Sequence, residues 1–65
     1  MEKLQITLAA ARVNAKMTQE DVAREMHVSK QTVVNWEKGN SEPSISQSKK
    51  LSELYSMPLE YIFFE

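Results

Sequence analysis

Five side chains between positions 30 and 38 could recognise a polar partner along one face of a helix. They are separated by steps of one, three, one and three residues: Lys30, Gln31, Val34, Asn35 and Lys38. Residues three and four apart lie on the same side of a helix, so these positions form a single stripe that contains no acid. Gln and Asn can pair with both major-groove groups of adenine, and Lys can reach guanine or a phosphate. The stripe therefore has the chemistry to bind DNA.

The opposite side of the same segment is apolar. Val33 and Trp36 lie between the stripe positions and are predicted to face the core. A polar helix face is most often only solvated surface, and a tryptophan opposite such a face is more often core than a stacking platform. A binding role for the stripe therefore depends on the elements that hold it.

Side chains that can cap backbone groups mark the boundaries of those elements. Three hydroxyl residues have N-cap spacing, two of them with a partner three residues later: Thr18 with Asp21, Ser29, and Ser44 with Gln47. Ser46 competes with Ser44 for the same helix. Gly39 suits a left-handed C-cap, and Pro58 suits the first position of a helix. With the 3.6-residue apolar period, these signals predict helices over about residues 7–15, 19–26, 30–38, 45–55 and 58–63.

The expected fold class is all-α, with five short helices in a single domain over residues 1–65. One glycine and two prolines are too few for an architecture of strands and turns. The predicted core takes apolar residues from every helix: Leu4, Leu8, Ala11, Ala15, Val22, Ala23, Met26, Val33, Trp36, Ile45, Leu51, Leu54, Tyr55, Met57, Leu59, Ile62 and Phe63. Three residues separate the second and third helices, which favours the steep crossing of a helix-turn-helix.

Composition excludes several other classes of protein. The chain has no cysteine and one histidine, so neither a disulfide nor a metal site is expected. The net charge of −1 means that DNA binding would depend on a local patch, and residues 30–50 hold four lysines against Glu37 and Glu42. No apolar run approaches the ~18 residues of a membrane span, and the N-terminus lacks a signal-peptide core. We therefore expect a cytoplasmic protein.

The joint pattern resembles the phage-repressor and Cro-like helix-turn-helix family, also called the xenobiotic-response-element type. The resemblance rests on these residues: Arg12, the run 17–23, the run 28–33, the run 36–39 and Pro43, with 57–62 similar to the closing helix. It covers nearly the whole chain. Three residues depart from the family pattern. His27 and Lys16 stand where glycine is frequent in the turns that flank the second helix, and Ser48 occupies a position of the fourth helix that is usually apolar. Histidine tolerates the left-handed backbone of such a turn better than most residues do.

The resemblance implies a role for each matching position. Base reading is implied for Lys30, Gln31, Thr32, Val34 and Asn35. Contact with the DNA backbone is implied for Thr18, Gln19, Lys38 and Asn40. Arg12 and Glu37 match an internal ion pair that links the first helix to the third.

These features predict a sequence-specific regulator of transcription, with repression the expected sign and a phage or mobile-element type implied by the family. The expected partner is a double-stranded DNA operator, bound as a homodimer through apolar residues near the C-terminus such as Phe63 and Phe64. No cofactor or small-molecule ligand is expected. The alternative is a protein-interaction adaptor or antitoxin-like module that uses the same fold and exposed aromatics, Tyr61 among them. An enzyme is the weakest alternative, because no nucleophile or metal constellation is present in the sequence.

Overall fold

The computed structural model describes residues 6–58 and the backbone of residues 62–63. Its elements, in chain order, are strand β1 (Ile6–Thr7), helices α1 (Leu8–Asn14), α2 (Gln19–Met26), α3 (Lys30–Lys38) and α4 (Ile45–Tyr55), and strand β2 (Ile62–Phe63). The helical part of the fold agrees with the sequence prediction for the first four helices. None of these helices is long and apolar enough to cross a membrane.

Each helix begins at a side chain that accepts a hydrogen bond from its first turn. Thr7 caps α1, and its hydroxyl accepts from the backbone N–H of Ala10 at 3.1 Å. Ser29 accepts from Thr32 in the same way at α3. At α2 and α4 the capping boxes predicted from the sequence are present, and Ser44 rather than Ser46 begins α4. These bonds satisfy backbone donors that have no partner inside the helix.

The helices end in left-handed turns that redirect the chain. Gly39 follows α3 with φ of 80°, as its position in the sequence suggests. The other three turns contain residues with a Cβ: Lys16 with φ of 60°, His27 with φ of 58° and Ser56 with φ of 51°. A Cβ in this region costs about 1–2 kcal/mol, so the surrounding packing must hold these turns in place.

One hydrophobic core joins the four helices. Its buried members are Leu8, Ala11, Val22, Ala23, Met26, Val33, Trp36, Leu51 and Tyr55. Leu51, Val22 and Val33 are its largest fully buried side chains. All nine residues were predicted from the helical period of the sequence. Leu4 and Leu59 lie outside the described residues, as do the side chains of Ile62 and Phe63.

Ile45 is a wrong core prediction. Its side chain is 78% exposed, although it is the first residue of α4. Six residues separate Ile45 from the buried Leu51, which places the two about 120° apart around the helix. Position along the sequence suggested a core residue, but the register of α4 on the core leaves Ile45 in solvent.

The four helices agree with the predicted all-α domain, but the predicted fifth helix over residues 58–63 is wrong at its C-terminal end. Ile62–Phe63 forms a strand that pairs in parallel with Ile6–Thr7, with Ile6 opposite Ile62 and Thr7 opposite Phe63. Residues 59–61 lie outside the described part of the chain. A helix of under two turns has little intrinsic stability, whereas pairing with the first strand satisfies extended backbone groups at both ends of the domain. Of the expected dimer residues, Phe64 lies outside the described residues and Phe63 is described only by its backbone; Tyr61, named for the adaptor alternative, also lies outside them.

Candidate nucleic-acid interface

The turn between α2 and α3 sets the direction of the helix that carries the polar stripe. Only His27, Val28 and Ser29 separate the two helices, which pack against each other. His27 adopts φ of 58° and ψ of 43°, so the residue that replaces the frequent glycine takes the backbone shape that a glycine would take. Val28 packs against the core directly after this turn. The turn therefore redirects the chain, and Val28 packs against the core, within three residues.

Helix α3 has one buried side and one side open to solvent. Val33 and Trp36 are 1% and 5% exposed, which agrees with their predicted place in the core. The stripe residues Lys30, Gln31 and Lys38 are exposed. Thr32, Val34 and Asn35 are partly exposed. The structure thus leaves all five predicted base-reading positions of α3 at least partly exposed, with Lys30 directly after the Ser29 cap.

The amide side chains on this face bond to each other. Gln31 Nε2 donates to Asn35 Oδ1 at 3.1 Å, one helical turn away. Asn40, just beyond the end of α3, donates from Nδ2 to the same oxygen at 3.5 Å. Its backbone N–H donates to the Asn35 carbonyl at 2.9 Å. The three residues therefore form a connected amide network along the exposed side of α3.

Thr32 is oriented by the cap of its own helix. Its hydroxyl oxygen lies 2.9 Å from the Ser29 hydroxyl oxygen, and its backbone N–H donates to the same Ser29 oxygen at 3.2 Å. The polar end of Thr32 is directed towards Ser29 by this contact.

Arg12 and Glu37 do form an ion pair between α1 and α3. Arg12 Nε donates to Glu37 Oε2 at 2.7 Å, and the two side chains are only 17% and 8% exposed. Arg12 also donates to the Met17 carbonyl at 3.0 Å, on the segment that leads into α2. The Arg12 guanidinium therefore links α1 to α3 and to the segment before α2. Because the pair is mostly buried, solvent and salt screen its attraction less than they screen a surface pair.

Gln19 meets the same carboxylate. Its Nε2 donates to Glu37 Oε1 at 3.0 Å, so Glu37 accepts from residues of both α1 and α2. The sequence pattern predicted a backbone contact for Gln19 but did not reveal this link, because 18 residues separate the two positions. Thr18, the other predicted backbone contact in α2, forms the capping box with Asp21. Asp21 Oδ2 accepts from the Thr18 N–H, and this bond lowers the pKa of Asp21 below its ordinary value.

Tyr55 lies close to the ion pair from the side of α4. Burial, and to a smaller extent the negative charge of Glu37, raise the pKa of Tyr55 to about 12, while Arg12 acts in the opposite direction. No residue pattern in the sequence linked Tyr55 to this pair, since its helical period indicated only a core position.

Among the residues that the structure describes, the two lysines at the ends of the stripe, Lys30 and Lys38, have no acidic side chain within salt-bridge distance. Over the described residues, the salt bridges are Arg12 with Glu37 and Arg24 with Asp21, and neither includes Lys30 or Lys38. Both lysines are exposed, so their charges are available to an anionic partner. The described residues also contain no group of three or more histidine or acidic side chains that could hold a metal ion.

Two helices joined by a three-residue turn, the second with its polar side in solvent, define a helix-turn-helix domain. The model of the helix-turn-helix family matches residues 8–62, and the chain belongs to this family. The resemblance to repressor and Cro-like proteins is thereby confirmed at the level of the family.

Curated relatives carry related names. An uncharacterized HTH-type transcriptional regulator of Methanocaldococcus jannaschii is 38% identical over 47 residues, covering 72% of this chain and 71% of the relative. A second uncharacterized HTH-type transcriptional regulator, from Archaeoglobus fulgidus, is 35% identical over 52 residues, covering 80% of this chain and 73% of the relative. No solved structure matches the chain significantly.

Proposed function

We propose that this chain is a sequence-specific DNA-binding regulator of transcription that represses by occupying an operator. The observation that carries the proposal is the two-sided character of α3, with Val33 and Trp36 in the core and its amides and lysines in solvent. Membership of the helix-turn-helix family and the names of both curated relatives support it. In this proposal α3 enters the major groove, which accommodates one helix.

The base-reading group is Lys30, Gln31, Thr32, Val34 and Asn35. Hydrogen bonding from Gln31 and Asn35 distinguishes base pairs, and the methyl groups of Thr32 and Val34 can contact the thymine methyl. Lys30, in the first turn of α3, can reach guanine or a phosphate. These contacts give specificity because each base pair presents its own pattern of donors, acceptors and methyl groups in the major groove.

Contacts with the phosphate backbone are assigned to Thr18, Gln19, Lys38 and Asn40. Gln19 uses one amide hydrogen on Glu37, which leaves the second hydrogen for a phosphate oxygen. Lys38 contributes a full charge at the last turn of α3. Such contacts orient the protein on the duplex without reading sequence.

The protein is proposed to act as a homodimer on DNA. Helix α3 has nine residues and is therefore about 13–14 Å long, which spans only about four base pairs. Two half-sites about one helical turn apart would extend the sequence that is read. Footprinting and titration at saturating protein should show a symmetric site with two chains. An asymmetric footprint with one chain per site would contradict the dimer.

The main experiment selects bound DNA from a random pool and then measures affinity by fluorescence anisotropy at several salt concentrations. Gln31→Ala should weaken binding to the selected site by about 1–3 kcal/mol and change binding to scrambled DNA little. Lys38→Ala should weaken binding to the selected site and to scrambled DNA, and it should lower the slope of log affinity against log salt concentration by about one. Gln19→Ala should lower affinity and leave this slope unchanged. Arg24→Ala, which removes an exposed cation that is paired with Asp21 and lies outside the basic patch over residues 30–50, is the matched control and should leave the slope unchanged.

Two results would overturn the proposal. One is that the protein selects no DNA sequence from the random pool at low salt, which would favour the protein-interaction adaptor. The other is that Gln31→Ala and Asn35→Ala both leave the ratio of the affinities for selected and scrambled DNA unchanged, because α3 would then not read bases. Transcription in vitro from a promoter that overlaps the selected site would separate repression from activation.

A further inference from the structure

Asn35 differs from Gln31 in the hydrogen-bonding groups that it can offer to a partner. Asn35 Oδ1 accepts from Gln31 at 3.1 Å and, more weakly, from Asn40 at 3.5 Å. A carbonyl oxygen has two lone pairs, so both acceptor positions of this amide are engaged within the protein. The side-chain groups that Asn35 can still offer to a partner are therefore the N–H donors of Nδ2.

Gln31 retains both kinds of group. Its Nε2 donates one hydrogen to Asn35, which leaves the second hydrogen and both lone pairs of Oε1. To read adenine, an amide must accept from N6 and donate to N7 at the same time. Gln31 can do both without breaking its bond to Asn35, whereas Asn35 would have to give up that bond.

The bond also limits the positions that Gln31 can adopt. Gln31 is exposed, and a free glutamine on a helix surface samples many rotamers, each of which binding must exclude at an entropic cost. Asn35 is partly buried and is tied to Asn40 through its backbone carbonyl at 2.9 Å. Asn35, the less mobile residue, thus holds the side chain of Gln31 in place. Because Nε2 of Gln31 is bonded to Asn35, the bond also determines the direction in which the acceptor Oε1 points.

We infer that Gln31 reads an adenine in the operator and that Asn35 is a positioning residue for Gln31 rather than a second adenine reader. This inference rests on the proposed function, because it needs α3 to lie in the major groove. It assigns one A·T pair per half-site to the Gln31–Asn35 unit. It also predicts that the two residues act on the same base pair and not on neighbouring ones.

The test measures every single-base variant of the selected site against four proteins: the unchanged chain, Gln31→Ala, Asn35→Ala and the double variant. Gln31→Ala should abolish the preference at one A·T pair, a loss of about 5- to 150-fold. Asn35→Ala should reduce the preference at that same pair by a smaller factor. The double variant should be no worse there than Gln31→Ala alone. Replacing that adenine by 7-deazaadenine should weaken the unchanged chain but not Gln31→Ala.

Asn35→Asp is the conservative variant that separates positioning from general damage to the helix. An aspartate keeps an oxygen that accepts from Gln31 Nε2 but adds a charge that DNA repels. Overall affinity should fall, while the relative preference at the Gln31 base pair should remain. Circular dichroism of each variant establishes that α3 is still folded.

The failures are distinguishable. If Asn35→Ala loses its preference at a different base pair, with effects that add to those of Gln31→Ala, the inference is wrong and the proposed function stands. Loss of the preference in Asn35→Asp would likewise overturn the inference alone. If Gln31→Ala changes no base preference at all, α3 is not the reading helix and both fail.

Discussion

Glu37 is the residue at which three helices meet. Its carboxylate accepts from Arg12 of α1 at 2.7 Å and from Gln19 of α2 at 3.0 Å, and it belongs itself to α3. Arg12 reaches both carboxylate oxygens, and Oε1 also accepts from Gln19, which offsets the cost of burying a charge that is 8% exposed. Glu37 therefore helps to hold α3 in position relative to α1 and α2.

Breaking this pair should destabilise the domain through the charge left without a partner. Arg12→Ala and Glu37→Ala should each lower the free energy of unfolding by about 2–3 kcal/mol, with a coupling energy of about 1–2 kcal/mol. Chemical denaturation of both single variants and the double variant measures the cycle. Arg24 and Asp21 form the matched control, because that pair is 3.4 Å apart and exposed, and its coupling should be much smaller. A zero coupling for Arg12 with Glu37 would contradict the account.

Lys16 adopts a backbone conformation that suits glycine. Its φ is 60°, its side chain is exposed, and its N–H donates to the Val13 carbonyl. Lys16→Gly should raise the free energy of unfolding by about 0.5–1 kcal/mol, because relief of left-handed strain exceeds the entropy gained by the unfolded chain. Thermal unfolding measures the effect.

The control for that substitution is Lys49→Gly. Lys49 is an exposed lysine inside α4, where the backbone is helical, so glycine should lower stability by about 1 kcal/mol. Opposite signs at two exposed lysines would show that backbone conformation, not charge, decides the result. Loss of stability in Lys16→Gly would contradict the prediction.

At the scale of the element, the N-terminus of α2 combines a structural cap with two proposed DNA contacts. The Thr18 hydroxyl accepts from the Asp21 N–H at 3.0 Å, while Asp21 Oδ2 accepts from the Thr18 N–H at 2.9 Å. Both bonds hold the first turn in which Gln19 lies. Thr18→Ala should therefore cost about 1 kcal/mol of stability, because one backbone donor loses its acceptor.

The Asp21 carboxylate should make α2 sensitive to acid. Its pKa lies below the ordinary value of 3.8, first because the Thr18 backbone N–H donates to it and then because of the Thr18 side chain. A lowered native pKa stabilises the fold above the unfolded value, and this contribution disappears as pH falls through the native pKa. Asp21→Asn should lower stability at neutral pH and flatten the loss below about pH 4.

Denaturation of the variants between neutral and strongly acidic pH measures this difference. Glu25→Gln, an exposed acid in the last turn of the same helix, is the control and should keep the acid profile of the unchanged chain. An Asp21→Asn profile as steep as that of the unchanged chain would show that the capping box contributes nothing to acid sensitivity.

At the scale of the whole molecule, one small core supports the DNA-facing surface. Leu8, Val22, Val33 and Leu51 come from four different helices and are each at most 3% exposed. A domain of 65 residues buries little apolar surface and has a small margin of stability. Changes that loosen the core should therefore also displace α3 from the position in which it is proposed to contact DNA.

Tyr55 makes this core sensitive to alkali. Burial, together with the charge of Glu37, raises the pKa of Tyr55 to about 12. A raised native pKa gives a contribution that is complete below the unfolded value of about 10 and is lost as pH rises through about 12. The stability of the unchanged chain should fall more steeply over this range than that of Tyr55→Phe, which cannot ionise.

Two tyrosines are present, so Tyr61→Phe leaves Tyr55 as the sole phenol. The phenolate absorbance of that variant reports Tyr55 directly, and Tyr61→Phe also serves as the control in the stability comparison. Ionisation of Tyr55 near pH 10 in a folded protein would contradict the raised pKa.

Local interactions explain what the sequence by itself determined. The four helices from Leu8 to Tyr55, their caps at Thr18, Ser29 and Ser44, and the buried side of α3 could all be predicted. A capping side chain bonds to a backbone group three residues away, and the helical period of apolar residues repeats within one segment. Both can therefore be predicted from residues that are close in the sequence. The stripe on α3 and the family could be predicted for the same reason.

Interactions between distant segments were decided only by the tertiary structure. Residues 62–63 pair with residues 6–7, and the sequence alone predicted a helix there because its local signals, such as Pro58, favour one. The exposure of Ile45 depends on how α4 is rotated against the core, which no pattern within α4 specifies. The bond from Gln19 to Glu37 likewise required the packing of α2 on α3. In each case the outcome depends on an interaction with a residue that is distant in the sequence. The distance and orientation of that residue are set only when the chain folds.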